Sequence, residues 1–268
     1  MKWQSFILLS SVLVSLMPKS NVLSACIGNN HTCQQEKLPY QFSVEQYNVE
    51  QLRHYAQSIT AKVMSDDVLG SGILIQKQGQ LYTVLTNAHV IRAGSKPYRV
   101  QTPDGRIYKA ILVPGNRFGS KDLATLQFRS TKNIYNVGSV GASPMVTDEV
   151  FAAGFPVSTQ KAIDKGLIFN SGQVSLVLDK ALEGGYKIAY TNQIEKGMSG
   201  GPLLNAQGCV IGVNGMHAHP LWDAPSIFDD GSLVDESLHE IINRFSWAVP
   251  IETFLQSDQQ KPVERTSC

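Results

Sequence analysis

Three glycines surround a single serine in residues 197–202, which have the sequence GMSGGP. Glycine tolerates the backbone conformations of a tight turn, and such a turn leaves amide N–H groups free to face a substrate carbonyl. The segment therefore indicates that Ser199 is a nucleophile. The shorter pattern G-x-S-x-G also occurs in the nucleophile elbow of α/β-hydrolases, so it does not decide the reaction by itself.

A serine hydroxyl is a weak nucleophile, so it needs a base within hydrogen-bond reach and a third group that fixes the tautomer of that base. His89, at the end of the third predicted strand, and Asp122, just before the sixth, supply these residue types. Taken singly, a histidine or an aspartate at such a place is more often structural. Together with Ser199 they predict an acyl-transfer site where the two halves of the chain meet.

Short β-branched and aromatic runs separated by turn residues fill the chain from residue 59 to residue 249, as is typical of an all-β protein. Six runs precede a looser stretch at 130–148 and six follow it, without long helical patterns between them. We therefore expect two packed six-stranded antiparallel β-barrels, with short helices at 44–57 and 250–256. The predicted strands are 59–64, 71–76, 81–86, 98–102, 106–113, 123–128, 149–154, 172–178, 186–191, 201–205, 209–214 and 246–249.

The segment 216–244 interrupts this rhythm. It is rich in Asp, His, Pro and Trp, and it predicts a long surface insertion in the second barrel. The predicted domain organisation is a signal peptide at 1–25, an N-terminal extension at 26–57, the first barrel at 58–135, the second barrel at 136–257 and a C-terminal tail at 258–268.

The N-terminus predicts export. Lys2 precedes an apolar stretch at 6–17 that is too short to span a bilayer, and cleavage is expected near Ala25. Residues 23–26, LSAC, also resemble a bacterial lipobox, in which Cys26 would be acylated and would tether the protein to a membrane. The mature protein is thus expected in the periplasm or outside the cell.

The four cysteines, Cys26, Cys33, Cys209 and Cys268, allow three complete disulfide pairings. Cys26 and Cys33 are the closest pair in sequence. Lipidation of Cys26 would forbid that bridge, so the two ideas exclude each other.

The composition and motifs argue against nucleic acid, metal and cofactor as partners. The chain has 268 residues, of which 43% are apolar and 17% charged, and its net charge of +1 gives no field that would attract nucleic acid. The His217, His219 and Asp223 group could be imagined as a metal site, but it lacks a zinc-binding pattern. We expect no metal and no cofactor.

Three segments, 86–90, 122–126 and 197–202, resemble the signatures of trypsin-like serine peptidases of the chymotrypsin fold. The resemblance covers about residues 59–255. Residues 70–74, GSGIL, and Asn87 are similar to the bacterial HtrA-like and cyanobacterial trypsin-like type, although no PDZ module is expected after the last strand.

The resemblance implies a serine endopeptidase that acts on polypeptides through an acyl-enzyme. Ser199 would attack the scissile carbonyl, His89 would serve as general base and Asp122 would orient it. The backbone N–H groups of Gly197 and Ser199 would form the oxyanion hole.

The resemblance also locates the substrate pocket and marks departures from animal trypsins. Gln193 would lie at the base of the pocket, without a charge, which predicts a neutral or mixed preference. Met198 replaces the aspartate that pairs with a liberated N-terminus, so that activation route is not expected. Val90 and Glu195 stand where those enzymes have cysteines. The pocket wall would be Val213, Asn214, Gly215 and Met216.

Two other functions remain open from the sequence. An α/β-hydrolase esterase could use Ser199 with Asp230 and His239, but its elbow requires a helix directly after the serine, whereas Pro202 and the following residues predict strands. A peptidase scaffold with weak or no catalysis could instead hold a partner through the insertion at 216–244.

Overall fold

The first barrel contains six antiparallel strands in the order β1-β2-β3-β6-β5-β4. Side chains alternate along them as the period of a strand requires: in β4, Tyr98 and Val100 point into the barrel, and Arg99 and Gln101 are half-buried on the other face. Its strands are β1 (Thr60–Met64), β2 (Val68–Gln78), β3 (Leu81–Thr86), β4 (Tyr98–Gln101), β5 (Ile107–Leu112) and β6 (Ala124–Arg129).

The second barrel repeats this design with the order β10-β11-β12-β9-β8-β7. Together the two barrels confirm the predicted all-β architecture of two six-stranded antiparallel barrels. The strands are β7 (Glu149–Gly154), β8 (Ile168–Val177), β9 (Ile188–Tyr190), β10 (Pro202–Asn205), β11 (Val210–Met216) and β12 (Ser246–Pro250).

A computed structural model describes residues 47–66, 68–114, 118–157, 166–218, 225–257 and 268, with only the backbone of Val68. All of them belong to one compact unit at 44–268. The predicted signal peptide, Cys26, Cys33, His219, Asp223 and nearly all of the predicted tail lie outside the described residues. No helix within the described ranges has the length and apolar character needed to cross a membrane.

Four α-helices accompany the strands in this part of the chain. The two predicted helices are present with shifted ends, as α1 (Val49–Ile59) and α4 (Ile251–Ser257). Asn48 begins α1 through a capping box with Gln51. The other two, α2 (Ala88–Arg92) and α3 (Glu236–Arg244), were not predicted.

Helix α3 corrects the interpretation of 216–244 as a surface insertion throughout. The Asp235 side chain caps the helix by accepting from the Leu238 N–H at 2.8 Å. Ile242 on its inner face is fully buried, and its carbonyl accepts a hydrogen bond from the Trp247 indole. The end of the segment is therefore part of the packed second barrel.

One continuous apolar core joins α1, both barrels and α4. Leu52 of α1 packs in the same buried cluster as Leu85 of the first barrel, Phe151 of the second and Phe254 of α4. Full burial of each such side chain contributes about 1.5–3 kcal/mol. The relative position of the barrels, and of any site between them, is therefore fixed by packing.

A disulfide joins Cys209, the residue before β11, to Cys268, with 6.1 Å between their Cα atoms. Of the three pairings that the sequence allows, this bridge leaves only the one that also joins Cys26 to Cys33.

Candidate active site

His89 lies where the first barrel meets the second. Strand β3 ends at Thr86, and the extended residue Asn87 precedes α2, so His89 is the second residue of a short helix. This corrects the sequence-based placement of His89 at the end of the strand. The side chain is 39% exposed.

Asp122 lies in the turn before β6, and its side chain is only 9% exposed. The carboxylate accepts three hydrogen bonds. Oδ2 accepts from His89 Nδ1 at 2.5 Å and from the Tyr186 hydroxyl at 2.6 Å, and Oδ1 accepts from the His89 backbone N–H at 2.8 Å. Asp122 therefore fixes both the ring and the backbone of His89.

These contacts decide the protonation state of Asp122. Burial by itself raises the pKa of Asp122, but the hydrogen bonds and charge of His89 and the hydroxyl of Tyr186 outweigh it, so the pKa lies below its usual value. An ionised carboxylate accepts a hydrogen bond from Nδ1–H, which keeps the proton on Nδ1 and leaves Nε2 of His89 as the basic nitrogen. Arg92, at 3.7 Å from Oδ1, is 71% exposed and adds little.

Ser199 lies in the loop between β9 and β10, on the second barrel. Its carbonyl accepts from the backbone N–H of Ser71 in the first barrel at 2.8 Å. Gly70 shows how close the two barrels come: a Cβ added there would lie 2.8 Å from Val90, the residue after His89, and 3.1 Å from the carbonyl oxygen of Ser199. The structure thus brings all three predicted triad residues to one junction.

The hydroxyl of Ser199 has a different partner from the one expected. It donates to the carbonyl of Gly215 at 3.1 Å, and within the described residues it makes no hydrogen bond with His89. Catalytic hydrogen bonds are often long or misaligned before substrate binds. Rotation about one side-chain bond would release the hydroxyl from Gly215.

Residues 195–199 form a loop in which two carbonyls accept hydrogen bonds from residues outside the loop. The Val157 N–H donates to the Lys196 carbonyl at 2.8 Å, and the Ser71 hydroxyl donates to the Gly197 carbonyl at 2.8 Å. The Lys196 carbonyl and the Gly197 N–H belong to the same peptide group, and in a trans peptide these two groups point in opposite directions. Because the carbonyl faces Val157, the Gly197 N–H points away from it. In the described ranges, neither this N–H nor that of Ser199 donates to another protein group.

Only glycine fits at two positions of this loop. Gly197 has φ +98°, and an added Cβ would lie 2.5 Å from the Val157 nitrogen; Gly200 has φ +87°, and an added Cβ would lie 2.1 Å from the Ser71 carbonyl oxygen. Gly200 thus allows the loop to approach the first barrel closely, and Gly197 allows it to approach the segment that follows β7, while two N–H groups stay free.

Met198 is fully buried in the core of the second barrel. Its sulfur accepts from the Glu195 N–H at 3.4 Å, and the Met198 N–H donates to the Glu195 carbonyl at 3.0 Å. A buried apolar side chain therefore anchors the loop to the core of the second barrel, at the position where animal trypsins use an ion pair.

The residues predicted for the substrate pocket divide into two sets. Gly215 and Met216, half-buried at the end of β11, lie beside Ser199, whereas Gln193 is exposed on the loop after β9. Val213 is buried in β11, and the Asn214 amide binds the carbonyls of Ala153 and Pro202 at 3.1 and 3.0 Å. The Asn214 N–H also donates to the Gly201 carbonyl at 2.9 Å, and its carbonyl accepts from the Gly200 N–H at 2.7 Å. Asn214 therefore supports the serine loop and the barrel.

Within the described residues, the other sequence candidates form no hydrogen bond or ion pair with His89, Asp122 or Ser199. The ring of His217 contacts the neighbouring Ala218 carbonyl at 3.1 Å, and Asp230 pairs with Lys180 at 2.5 Å. His239 lies in α3. No group of three His, Cys, Asp or Glu residues suited to a metal occurs within the described residues.

Ser71 and Tyr186 are the polar residues of the site that sequence reasoning missed. The only sequence signal for Ser71 was its place in the GSGIL segment. Tyr186 had none, since it was counted as the first residue of a predicted strand and its contact with Asp122 spans 64 positions.

Comparison with known proteins assigns the chain to a family. Residues 70–213, just over half of the chain, match the model of the trypsin-like peptidase domain, and the chain belongs to that family. This confirms the resemblance drawn from the three signature segments.

The relatives include two bacterial serine proteases. The chain is 25% identical over 214 residues to the serine endoprotease DegS of Salmonella typhimurium, covering 78% of this chain and 57% of that one. It is 34% identical over 150 residues to the putative serine protease HhoA of Synechocystis, covering 54% and 36%. The chain thus spans less than two thirds of either relative.

The fold also matches a solved structure. The crystal structure of the serine endoprotease from Yersinia pestis superposes with a TM-score of 0.54 and 22% identity, covering 81% of this chain and 65% of that one. At this identity the likeness concerns the fold. The α/β-hydrolase alternative is excluded, since strand β10 follows Ser199 in place of a helix.

Proposed function

We propose that the protein is a serine endopeptidase with Ser199 as nucleophile, His89 as general base and Asp122 as the residue that orients it. The observation that carries the proposal is the His89–Asp122 pair of 2.5 Å beside a serine loop with two free N–H groups. That arrangement supplies a base and an electrostatic site for a developing oxyanion.

The reaction begins when the Ser199 hydroxyl leaves the Gly215 carbonyl and turns toward Nε2 of His89. Nε2 takes the hydroxyl proton as Oγ attacks the scissile carbonyl carbon. The carbonyl oxygen becomes an oxyanion and accepts hydrogen bonds from the N–H groups of Gly197 and Ser199. The ionised Asp122 stabilises the imidazolium that forms.

Collapse of this intermediate breaks the C–N bond. His89 returns the proton to the leaving amine, and the acyl group stays on Oγ of Ser199. Water then attacks the ester by the same steps, with His89 again taking and returning one proton. Every proton is handled by residues of this chain.

The substrates would be polypeptides in extended conformation. Strand β11 ends beside the nucleophile at Gly215 and Met216, where its backbone could pair with a peptide. The predicted pocket residues Gln193, Gly215 and Met216 carry no charge, which favours an uncharged side chain before the scissile bond. Cleavage of a mixed peptide library, read by mass spectrometry, tests this preference.

The basic residue and apolar stretch at the N-terminus support export before the enzyme acts, with Cys26 as a possible lipid tether. The mass of the mature N-terminus, measured after cell fractionation, separates cleavage near Ala25 from acylation of Cys26. No nucleic acid partner and no cofactor enter this proposal.

The function is tested by reaction of the purified mature protein with a fluorophosphonate, followed by mass spectrometric mapping of the adduct. We expect one adduct, on Ser199, which is lost in His89→Ala. The matched control is His54→Ala, because that histidine lies on the exposed face of α1 with a side chain 71% exposed; it should retain full labelling.

The Ser199–Gly215 hydrogen bond also favours a second candidate, a scaffold whose serine is not engaged by its base. Such a protein would bind a peptide or protein partner stoichiometrically. The absence of both adduct and peptide cleavage, with partner binding unchanged by Ser199→Ala, would select this candidate over the peptidase.

A further inference from the structure

The second barrel supplies a tyrosine to the acidic residue of the candidate triad. We propose that Tyr186 is a positioning residue, which fixes the Asp122 carboxylate from the second barrel and thereby sets the orientation and basicity of His89. This inference rests on the proposed function, and it assigns a role to a side chain outside the three signature segments.

Tyr186 and His89 share one oxygen of the carboxylate. The Tyr186 hydroxyl lies 2.6 Å from Asp122 Oδ2, and His89 Nδ1 lies 2.5 Å from the same atom. A carboxylate oxygen accepts two hydrogen bonds through its two lone pairs, so the two donors define the direction of both. Removal of the hydroxyl would leave Asp122 free to rotate about its side-chain bonds.

The tyrosine ring has no room to move. Tyr186 is buried, and a Cβ added at Gly215 would lie 2.5 Å from its ring, while one added at Gly184 would lie 3.0 Å from it. The ring is therefore held between these two glycines. Gly215 is also the residue whose carbonyl accepts the Ser199 hydroxyl, so one side chain touches the acid of the triad and the backbone partner of the nucleophile.

The backbone around Tyr186 holds Asp122 as well. The Asp122 N–H donates to the Gly184 carbonyl at 2.8 Å, while the Asp122 carbonyl accepts from the Asn87 amide at 2.8 Å. Each barrel thus contributes one main-chain contact and at least one side-chain contact to this aspartate. Such duplicated support is what keeps a catalytic group within a fraction of an ångström of its working position.

Charge fixes the direction of the hydrogen bond. Burial raises the pKa of Tyr186 well above its usual value, and the negative charge of Asp122 raises it further. The hydroxyl therefore stays protonated and acts only as the donor. Among the described residues, the titratable or charged side chains that contact the carboxylate are also His89 and Arg92, the latter at 3.7 Å, while the neighbouring Lys121 pairs with Asp229.

The experiment compares Tyr186→Phe with Tyr82→Phe in the purified full chain. Phenylalanine keeps each ring and removes only a hydroxyl. Tyr82 is also buried, and its hydroxyl accepts from the Tyr135 N–H at 3.1 Å; within the described residues it forms no hydrogen bond with the triad. Both variants lose one buried hydrogen bond, so a merely structural effect would be the same in both.

We expect Tyr186→Phe to lower kcat by about tenfold or more, the rate equivalent of one hydrogen bond to a charged group, with little change in KM. The acid limb of the kcat/KM profile should move to higher pH, because a less solvated Asp122 carboxylate attracts the imidazolium more strongly. Tyr82→Phe should leave the limb where it is. An unmoved limb in Tyr186→Phe, or equal losses of kcat in both variants, would overturn the proposal.

A second measurement does not depend on turnover. In Ser199→Ala protein, the proton between His89 Nδ1 and Asp122 Oδ2 should give a strongly deshielded proton NMR signal, and Tyr186→Phe should shift or broaden it while Tyr82→Phe should not. An identical signal in both variants contradicts the role of Tyr186. If the wild-type chain neither reacts with fluorophosphonate nor cleaves peptides, the proposed function fails, and this comparison still decides what Tyr186 does.

Discussion

The side chain of Ser71, in the first barrel, donates a hydrogen bond of 2.8 Å to the carbonyl of Gly197 in the second. The same hydroxyl accepts from the Phe155 N–H at 2.8 Å, and Ser71 is fully buried. One small side chain therefore fixes the peptide that follows Gly197, next to the N–H of Ser199. The free N–H groups of the loop depend on this contact between the barrels.

Ser71→Ala should lower kcat more than it changes KM, by about tenfold or more, since loss of a complete oxyanion donor costs about 10²–10³. The unpaired Phe155 N–H should also cost about 1–3 kcal/mol of unfolding free energy. Steady-state kinetics and urea unfolding check both effects. Ser130→Ala is the control, because that serine is also buried but bonds only within the first barrel; equal kinetic losses in the two variants would show that the Ser71–Gly197 bond has no special role.

Asp122→Asn should abolish most activity without unfolding the protein. The uncharged amide has the same shape but no longer favours a hydrogen bond from Nδ1–H of His89 as the carboxylate does. The tautomer that leaves Nε2 free therefore loses its preference, and kcat should fall by about 10⁴ near neutral pH. The control is Asp104→Asn, in the turn between β4 and β5, where the carboxylate bonds Thr102 and Arg106. Kinetics should show normal turnover in that variant, and near-normal turnover in Asp122→Asn would mean that another group orients His89.

The sequence predicted the barrels because alternation and turn residues are local signals. The turn at 103–105 shows why: Asp104 accepts from its neighbours Thr102 and Arg106, and Gly105 has φ +81°. Helix α2 was missed because five residues are too few to show a helical period. Helix α3 carried a detectable signal in the cap at Asp235, but the polar composition around it favoured a loop.

The residues of the site also divide into those that local sequence signals predict and those that only the folded structure shows. Motifs identified His89, Asp122 and Ser199 because their residue types and flanking sequences are local. The contacts of Ser71 with Gly197 and of Tyr186 with Asp122 span 126 and 64 positions and join the two barrels. No local pattern encodes such a contact, since it exists only once the shared core has set the barrels against each other. The resting bond from Ser199 to Gly215 was unpredictable for the same reason.

Stability should depend on the ionisation of Asp122. Its pKa in the folded protein lies below the usual value of 3.8, since its hydrogen bonds and the charge of His89 outweigh burial. A lowered pKa stabilises the folded state above the unfolded pKa, and that stabilisation is lost as the pH falls through the folded pKa. The free energy of unfolding of the wild type should therefore approach that of Asp122→Asn as the pH is lowered below about 4. Urea unfolding at a series of pH values tests this, and a difference that stays constant with pH would contradict it.

The disulfide between Cys209 and Cys268 should stabilise the second barrel through the length of chain it closes. The two cysteines are 59 positions apart, and closing a loop of that length in the unfolded chain corresponds to about 4 kcal/mol. Cys268→Ser should lower the free energy of unfolding by about 2–4 kcal/mol and make it insensitive to any reductant that acts on this bridge. Thermal unfolding with and without reductant measures both effects, and mass spectrometry of a non-reduced digest identifies the linked peptides. Because Cys209 directly precedes β11, which ends at Gly215 and Met216 beside Ser199, activity should be lost at a lower temperature in the variant. A variant with unchanged stability would show that α4 and the core hold the strand without the bridge.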